Sequence, residues 1–267
     1  MAIENHDYLI PIESNAILWR YMDFHKFISL LETESLFFCR ADKFSDPFEG
    51  TIPRKEVEYR PTSFKQICDI YNTPFETEKF KEWESTTIDF NKITRISTVI
   101  NCWHINNHES DAMWRLYLKT NEGVAVQTSP QRLLNSFTDT KESINPSKVR
   151  YIDFDNEIYY HEIDYPVSSV NSFTTFIHKR VEFKSENEFR LFHTVKDAQY
   201  YQGENYWNKK DNRIGMFIGV NIETLIDKVY FPPTLGENEQ KEIELQIKDL
   251  GYTLDLQPSL MQKKPYY

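Results

Sequence analysis

Charged side chains stand at every second position of the stretch KSENEFRLF up to Arg190, and its second half alternates charged with apolar residues, as along a β-strand. Successive strand residues point to opposite faces, so Glu186, Glu188 and Arg190 share one face, whereas Phe189 and Leu191 share the other. The apolar face must contact a core. Adjacent carboxylates repel each other, and partial burial then raises the pKa of one of them. The pattern fits either a pair of reactive carboxylates or a solvated face with a Glu188–Arg190 ion pair of small energetic value.

Four further segments, WRY, SDPFEG, CWHINNHESDAMW and HKR, hold polar residues in settings that packing alone does not require. The candidate site residues in these segments are Arg20, Tyr21, Asp46, Glu49, Trp103, Ser110, Trp114 and Lys179. Each has a structural alternative. Arg20 could be an ion-pair partner of Asp46 or Glu49, and Ser110 could be the N-cap of the helix that follows it. The two tryptophans could be core aromatics that also wall a pocket.

Taken together, these motifs resemble an uncharacterised domain family of bacterial and phage proteins. The family pattern is a first strand ending in Arg/Lys-Tyr, an Asp-Pro-Phe-Glu loop, a Ser followed by Met-Trp, and a late Lys before Glu-x-Glu-x-Arg. The matching residues are Trp19-Arg20-Tyr21, Asp46-Pro47-Phe48-Glu49, Ser110 with Met113-Trp114 and Tyr117, Lys179, and Glu186-x-Glu188-x-Arg190. The resemblance covers roughly residues 15 to 235. It implies a domain family but no established reaction.

The order of these residues is also similar to that of ADP-ribosyltransferases with an Arg-Ser-Glu triad. This resemblance implies NAD as a substrate. Arg20 would bind its phosphate or ribose oxygens through the planar, permanently charged guanidinium group. Ser110 would orient the catalytic strand or the nicotinamide ribose, although it precedes a helix and departs from the usual Ser-Thr-Ser strand. Glu188 would bind the ribose 2′-hydroxyl and stabilise an oxocarbenium-like centre, and Glu186 would take a proton from the acceptor nucleophile.

The resemblance also assigns the surroundings of the site. Tyr21, Trp103 and Trp114 would wall the pocket, and Lys179 and Arg190 would contribute to binding NAD. Asp46 and Glu49 would belong to a structural loop, which their places on either side of a Pro-Phe pair also favour. The implied activity is ADP-ribosyl transfer or NAD cleavage by a toxin or phage-defence effector, with a small-molecule nucleotide and an acceptor as partners.

Two other functions compete with this hypothesis. Glu182-x-Lys184 is half of a metal-dependent nuclease motif, and Asp153 or Asp164 could supply the second carboxylate. A non-enzymatic sensor or docking module could use the same cleft for recognition. A zinc site at Cys102, His104 and His108 lacks a second Cys/His pair at suitable spacing, so we predict no metal and an inert, buried Cys102.

Composition narrows the class of protein. The formal net charge of −10 and a pI near 5.3 disfavour electrostatic binding of nucleic acid over a broad surface. They favour a small ligand or a protein partner. Three irregularly spaced cysteines are typical of a reducing cytosol. The amino terminus lacks the features of a signal peptide, and no apolar run approaches the roughly 20 residues that span a membrane. We therefore predict a cytoplasmic protein.

The periodicity of apolar residues predicts a single α+β domain over residues 1–267, with a mixed or antiparallel sheet. Predicted strands include residues 16–22, 36–44, 95–104 and 123–129. The principal predicted helices are residues 23–35 with Asp23 as N-cap, two within a helical insertion at 51–93, 165–180, and 236–251 at the start of a C-terminal helical appendage, 236–267. The resemblance adds the expectation that the sheet is arranged as in ADP-ribosyltransferases.

Overall fold

The computed structural model describes residues 9–118, 122–138, 143–159, 173–195 and 213–266. It confirms the predicted α+β class, with a mixed but mostly antiparallel sheet and several helices. The strands in these ranges are β1 (Leu18–Asp23), β2 (Ser35–Arg40), β3 (Thr98–Ile105), β4 (Gly123–Thr128), β5 (Asn145–Lys148), β6 (Arg150–Ile152), β7 (His178–Arg180), β8 (Glu188–Thr194), β9 (Gly215–Gly219), β10 (Lys228–Tyr230) and β11 (Leu256–Gln257). The helices are α1 (Phe24–Thr33), α2 (Arg54–Ile70), α3 (Thr77–Ser97), α4 (Asp111–Tyr117), α5 (Pro130–Ser136), α6 (Thr174–Ile177), α7 (Ile222–Leu225) and α8 (Glu237–Asp249).

The main sheet has nine strands and forks at β3. One edge of β3 pairs with β8, which pairs in turn with β5. The other edge pairs with two strands at different heights: β1 contacts its C-terminal end, and β2 contacts its N-terminal half. Beyond β1 the sheet continues through β4, β10 and β11, whereas beyond β2 it ends at β9. The fork leaves a gap between β1 and β2, beside the middle of β3, where neither strand is paired with β3.

The connection from β1 to β2 explains why the fork is stable. Asp23 caps α1 as predicted, because its side chain accepts a hydrogen bond from the backbone N–H of Lys26 at 2.9 Å. Phe27 and Leu31 lie on the buried face of α1. Glu34, with φ 44°, ends the helix in the left-handed region and turns the chain into β2. The helix therefore crosses one face of the sheet and separates the two strands that it joins.

The helical insertion lies where the sequence predicts it, but its helices are longer. The sequence predicts helices near 62–72 and 76–87, whereas α2 begins at Arg54 and α3 continues to Ser97. Pro61 lies inside α2. The end of α3 is fixed by Arg95, which donates hydrogen bonds to the backbone oxygens of Glu49 and Pro47 at 2.7 and 2.9 Å. No helix in the described ranges, these two included, is both long and apolar enough to cross a membrane.

The predicted helix over 165–180 is wrong in its last turn. Within the described residues 173–180, Thr174–Ile177 is helical, whereas His178, Lys179 and Arg180 form β7, which pairs in parallel with β6. Residues 160–172 lie outside the described part of the chain. Burial decides the outcome: His178 and Lys179 are buried, whereas the predicted role at a helix C-terminus would keep these cations near the surface.

The C-terminal segment contributes to the core and to the sheet. Helix α8 ends before Gly251, whose φ of 90° matches the predicted helix stop. Ile243 and Ile247 of α8 join the largest apolar cluster, and residues 256–257 add β11 to the edge of the sheet. The segment is therefore packed into the main body and is not an appendage of it.

Candidate functional site

A cavity of about 470 Å³ occupies the gap in the forked sheet. Strand β1 pairs with β3 at Trp19 and His104, and β2 rejoins β3 at Cys39 and Ile100. Between these points, the edge of β3 faces the opening. The cavity volume lies within the range of small-molecule sites, which are usually concave and largely apolar with a few polar groups. The polar groups in its wall therefore indicate what it could bind.

Two cationic residues, Arg20 and Lys26, line the cavity, and Arg20 is the less exposed of the two. Its Nη2 makes a long contact of 3.4 Å with the backbone oxygen of Phe37, and its guanidinium carbon lies 5.8 Å from the centroid of the Trp103 ring. Its Nη1 is buried without a hydrogen-bond partner in the described part of the chain. Burial lowers the pKa of Arg20, and no carboxylate in the same ranges forms an ion pair with it. The site thus holds a desolvated positive charge with an unfilled donor.

The alternative that Arg20 pairs with the Asp-Pro-Phe-Glu loop is wrong. Asp46 accepts from Nη2 of Arg180 at 2.8 Å, and Glu49 forms a two-point ion pair with Arg190. Asp46 also accepts a hydrogen bond from the backbone N–H of Phe48 at 3.0 Å, which shapes the turn. The geometry of both carboxylates fits the predicted structural loop.

The two carboxylates of the Glu-x-Glu motif meet, but not as residues of one strand. Strand β8 begins at Glu188, and Glu186 is the last residue of a 3₁₀ segment, Val181–Glu186. Asn187 joins them in the left-handed region, with φ 39° and ψ 64°. The solvated alternative is also wrong, because Glu188 and Arg190 are buried. Both carboxylates of the motif line the cavity.

A buried network of charges holds these carboxylates in place. Lys179 donates from Nζ to Glu186, and to Oε1 of Glu188 at 2.7 Å. Arg190 donates from Nε to Oε2 of Glu188 at 2.6 Å, and from its two terminal nitrogens to Glu49 at 2.7 and 2.9 Å. Bidentate pairs of this kind fix geometry as well as charge. Lys179 and Arg190, which we predict to bind NAD, lie behind the cavity wall and bind the carboxylates.

The network divides the two carboxylates into different protonation states. Burial raises the pKa of Glu186 to about 7, and the hydrogen bond and charge of Glu188 act in the same direction. Burial would also raise the pKa of Glu188, but Arg190, Glu186 and Lys179 outweigh it and hold that pKa well below its usual range. Glu188 is therefore ionised at neutral pH, whereas Glu186 exchanges a proton there. Such a division is typical of an acid–base pair.

His104 is a further polar group at the same place. Its Nδ1 lies 2.6 Å from the backbone oxygen of Glu186, so this nitrogen carries the proton and donates. Its Nε2 is buried and has no partner within the described ranges. Burial lowers the pKa of His104, which keeps the ring neutral and leaves Nε2 as an acceptor. The sequence suggests His104 as a metal ligand. Its place beside Glu188 is set by the pairing of β3 with β8, in which the two residues are opposite each other.

The predicted aromatic wall is partly present. Tyr21 and Trp103 line the cavity, whereas Trp114 lies behind Tyr21 with the ring centroids 4.9 Å apart. Ser110 is also behind Tyr21: its backbone N–H donates to the Tyr21 hydroxyl at 2.8 Å, and its own hydroxyl accepts from the N–H of Met113. Ser110 is thus the N-cap of α4, which is the structural role that the sequence also allows. It supports the wall from outside the cavity.

The residues of the nuclease hypothesis are elsewhere. Glu182 and Lys184 are exposed on the 3₁₀ segment, and neither lines the cavity. The carboxylate of Asp153 accepts from the Asn156 side chain at 2.8 Å, and Asp164 lies outside the described residues. In those residues no group of three His, Cys, Asp or Glu side chains is arranged to hold a metal ion. Cys102, predicted to be buried, is half-buried and lines the cavity; desolvation raises the pKa of its thiol well above the usual value, so the thiol is neutral.

Phe37 and Phe217 also line the cavity, and the sequence did not single out either one. Phe37 alternates with Leu36 and Phe38, whose side chains are in the main core, so strand periodicity alone could have placed it on the opposite face. Phe217 had no comparable signal, because its position depends on the pairing of β9 with β2.

Comparisons with known proteins find a family for one part of the chain. Residues 113–191 match a family described as "Protein of unknown function (DUF2971)". This stretch contains Lys179, Glu186 and Glu188 but not Arg20. A search of curated proteins gives Scarecrow-like protein 11 of Arabidopsis thaliana, 29% identical over 163 residues; the match covers 57% of this chain and 24% of that protein. No solved structure matches. The chain thus contains a stretch similar to an uncharacterised family, as the motifs predict, and the match supplies no reaction.

Proposed function

We propose that this protein cleaves the N-glycosidic bond of NAD and transfers ADP-ribose to an acceptor or to water. One observation carries the proposal: Arg20, a half-buried cation whose Nη1 is buried with no hydrogen-bond partner in the described ranges, lines the same cavity as Glu186 and Glu188. These residues are more than 160 positions apart in the chain. Consumption of NAD suits a toxin or a phage-defence effector, which is the setting that we infer for the enzyme.

The polar groups of the cavity suit the parts of NAD. A pyrophosphate is the kind of anion that a guanidinium binds with two parallel hydrogen bonds, and Nη1 of Arg20 is available for one of them. A ribose hydroxyl is a donor that could satisfy Nε2 of His104. Tyr21 and Trp103 supply apolar wall. Each unfilled group in the wall therefore has a chemical counterpart in a nucleotide.

The carboxylates suit the reaction. Departure of nicotinamide with the bonding electron pair leaves positive charge at C1′ of the ribose, and the acceptor forms the new bond there. Glu188, held ionised by Arg190 and Lys179, supplies fixed negative charge in a site of low water content. Glu186, with a pKa of about 7, accepts the proton that the attacking hydroxyl group or water loses.

A second function, ligand binding without turnover, is favoured by one observation. Both oxygens of Glu188 already accept hydrogen bonds, one from Lys179 and one from Arg190. A carboxylate engaged in this way can serve to hold the wall of a sensor. The metal-dependent nuclease is not favoured, because Glu182 and Lys184 are exposed and away from the cavity.

The test is release of nicotinamide from NAD by the purified protein, measured by chromatography. We expect release by the wild type, and a loss of about 10²- to 10³-fold in Glu188→Gln, the usual effect of removing one electrostatic stabiliser. Incorporation of labelled ADP-ribose into protein or nucleic acid then separates transfer from hydrolysis. Absence of nicotinamide release by a wild-type protein that binds NAD would overturn the proposal and support a sensor.

A second variant separates loss of function from loss of folding. Glu188→Gln leaves two buried cations partly uncompensated and therefore destabilises the protein. Arg20 has no carboxylate partner in the described ranges, so Arg20→Ala strands no opposite charge and should fold. We expect Arg20→Ala to weaken NAD binding at least tenfold and to retain the wild-type melting temperature within a few degrees.

A further inference from the structure

We infer that the pair formed by Phe37 and Phe217 binds the planar base of the nucleotide, at the end of the cavity away from the carboxylates. The inference rests on the proposed function, because it assigns the second ring of the substrate. In a dinucleotide whose glycosidic bond is broken beside Glu188, the leaving ring is at the carboxylates. The remaining base, adenine, then needs a site of its own.

The two rings form one platform on the edge of the sheet. Phe37 of β2 and Phe217 of β9 are directly opposite each other in the antiparallel register, and their ring centroids are 5.1 Å apart. Phe217 is 56% exposed, unusual for a phenylalanine in the wall of a cavity. The two ring planes are tilted by 58° to each other, so the exposed face of the Phe217 ring is the surface that a nucleotide base would cover when it stacks.

Glycine at 215 makes room for this arrangement. A Cβ atom built there would lie 2.6 Å from Cζ of the Phe37 ring and 2.1 Å from the Phe38 oxygen. The Phe37 ring therefore packs directly over bare backbone of β9. Because Gly215 and Phe217 are two residues apart on one strand, they share a face, and the two rings lie beside each other on it.

The platform lies at the right place relative to the charges. Nη2 of Arg20 contacts the backbone oxygen of Phe37, so the guanidinium that would hold phosphate is next to the rings. Glu188 is on β8, and β3 and β2 lie between β8 and β9. Three strand spacings of about 4.8 Å separate the two ends by roughly 14 Å. One end thus offers an aromatic surface with the Arg20 guanidinium beside it, and the other offers carboxylates.

The experiment compares ligands with and without the base by isothermal titration calorimetry. AMP and ADP-ribose carry adenine, ribose 5-phosphate carries no base, and nicotinamide mononucleotide carries the other ring. We expect Phe217→Ala to weaken AMP and ADP-ribose at least about fivefold, as loss of one stacking contact does. Ribose 5-phosphate and nicotinamide mononucleotide should change less than about twofold. Phe217→Trp should restore the affinity for AMP.

Tyr71→Ala is the matched control, because Tyr71 is an exposed aromatic residue outside the cavity wall, 73% exposed. It should leave all four affinities unchanged. Equal weakening of all four ligands by Phe217→Ala, weakening of nicotinamide mononucleotide alone, or no binding of AMP to the wild type would each overturn the inference. AMP binding that depends on Phe217 in a protein that releases no nicotinamide would uphold the base site and overturn only the proposed reaction.

Discussion

Glu186 is the side chain whose protonation changes near neutral pH, and the reason is a balance of buried charge. Arg190 and Lys179 contribute two positive charges to the network, and Glu49 and Glu188 contribute two negative ones. The network is therefore neutral when Glu186 is protonated and carries one negative charge when it is not. Burial makes that extra charge unfavourable and raises the pKa of Glu186 to about 7.

This balance predicts a pH dependence for nicotinamide release. Because a general base must be deprotonated, we expect the rate to rise with pH through about 7 and then to level off. Glu186→Gln should flatten this rise and lower the plateau by about 10²-fold or more. A series of initial rates from pH 5 to 9 measures both effects.

Glu182→Gln is the control for that series. Glu182 lies in the same 3₁₀ segment, four positions earlier, but is exposed. We expect its variant to keep the wild-type profile. A rise through pH 7 that persists in Glu186→Gln would assign the titration to another group.

At the scale of elements, the junction between the 3₁₀ segment and β8 positions Glu186. Asn187 has a left-handed backbone, and its Nδ2 donates to the backbone oxygen of Ile105 at 2.6 Å. Its own backbone oxygen accepts from the N–H of Ile105 at 2.8 Å. The turn places the Glu186 carboxylate against Lys179 and Glu188 although the residues do not share a strand face. Asparagine and glycine adopt this conformation readily, whereas β-branched residues do not.

Substitution at Asn187 separates backbone conformation from side-chain bonding. Asn187→Gly and Asn187→Val both lose the hydrogen bond to Ile105, but only valine is strained in the left-handed region. We expect the valine variant to be less stable than the glycine variant by about 1–2 kcal/mol in denaturant unfolding. The valine variant should also lose the titration near pH 7. Equal stability of the two variants would show that the turn carries no conformational demand.

At the scale of the whole molecule, the charge network ties together parts that are far apart in the chain. Glu49 comes from the loop before α2, Lys179 from β7, and Arg190 from β8. Glu49 and Arg190 are both almost completely buried, at 2% and 0% exposure. Arg190 also donates to the backbone oxygen of Phe176 at 2.9 Å. Loss of one partner in such a network leaves an uncompensated buried charge.

Glu49→Gln tests this role away from the cavity. We expect it to lower the free energy of unfolding by about 3–5 kcal/mol, the usual effect of breaking a buried ion pair from one side. The matched control is Glu58→Gln, which breaks an exposed pair with Arg54 within α2 and should leave the unfolding midpoint unchanged. Similar midpoints for the two variants would contradict a structural role for the network.

Some of the local structure was predictable because its cause is local. Asp23 and Gly251 mark helix boundaries in the sequence, and the structure confirms both, since capping requires only neighbouring backbone groups. The periodicity of apolar residues likewise predicts the α+β class. Predictions failed where burial overrides a local signal: His178 and Lys179 form a strand because the core surrounds them.

By itself, the sequence determined which residues could carry chemistry and that Glu188 and Arg190 share a strand face. It did not determine the partners of these residues. Only the tertiary structure decided that Arg20 faces the cavity with no ion-pair partner among the described residues, while Arg190 and Lys179 neutralise Glu188. Buried charges pair only where the forked sheet brings distant segments within about 3 Å of each other. The types and spacing of side chains along the sequence do not determine that distance.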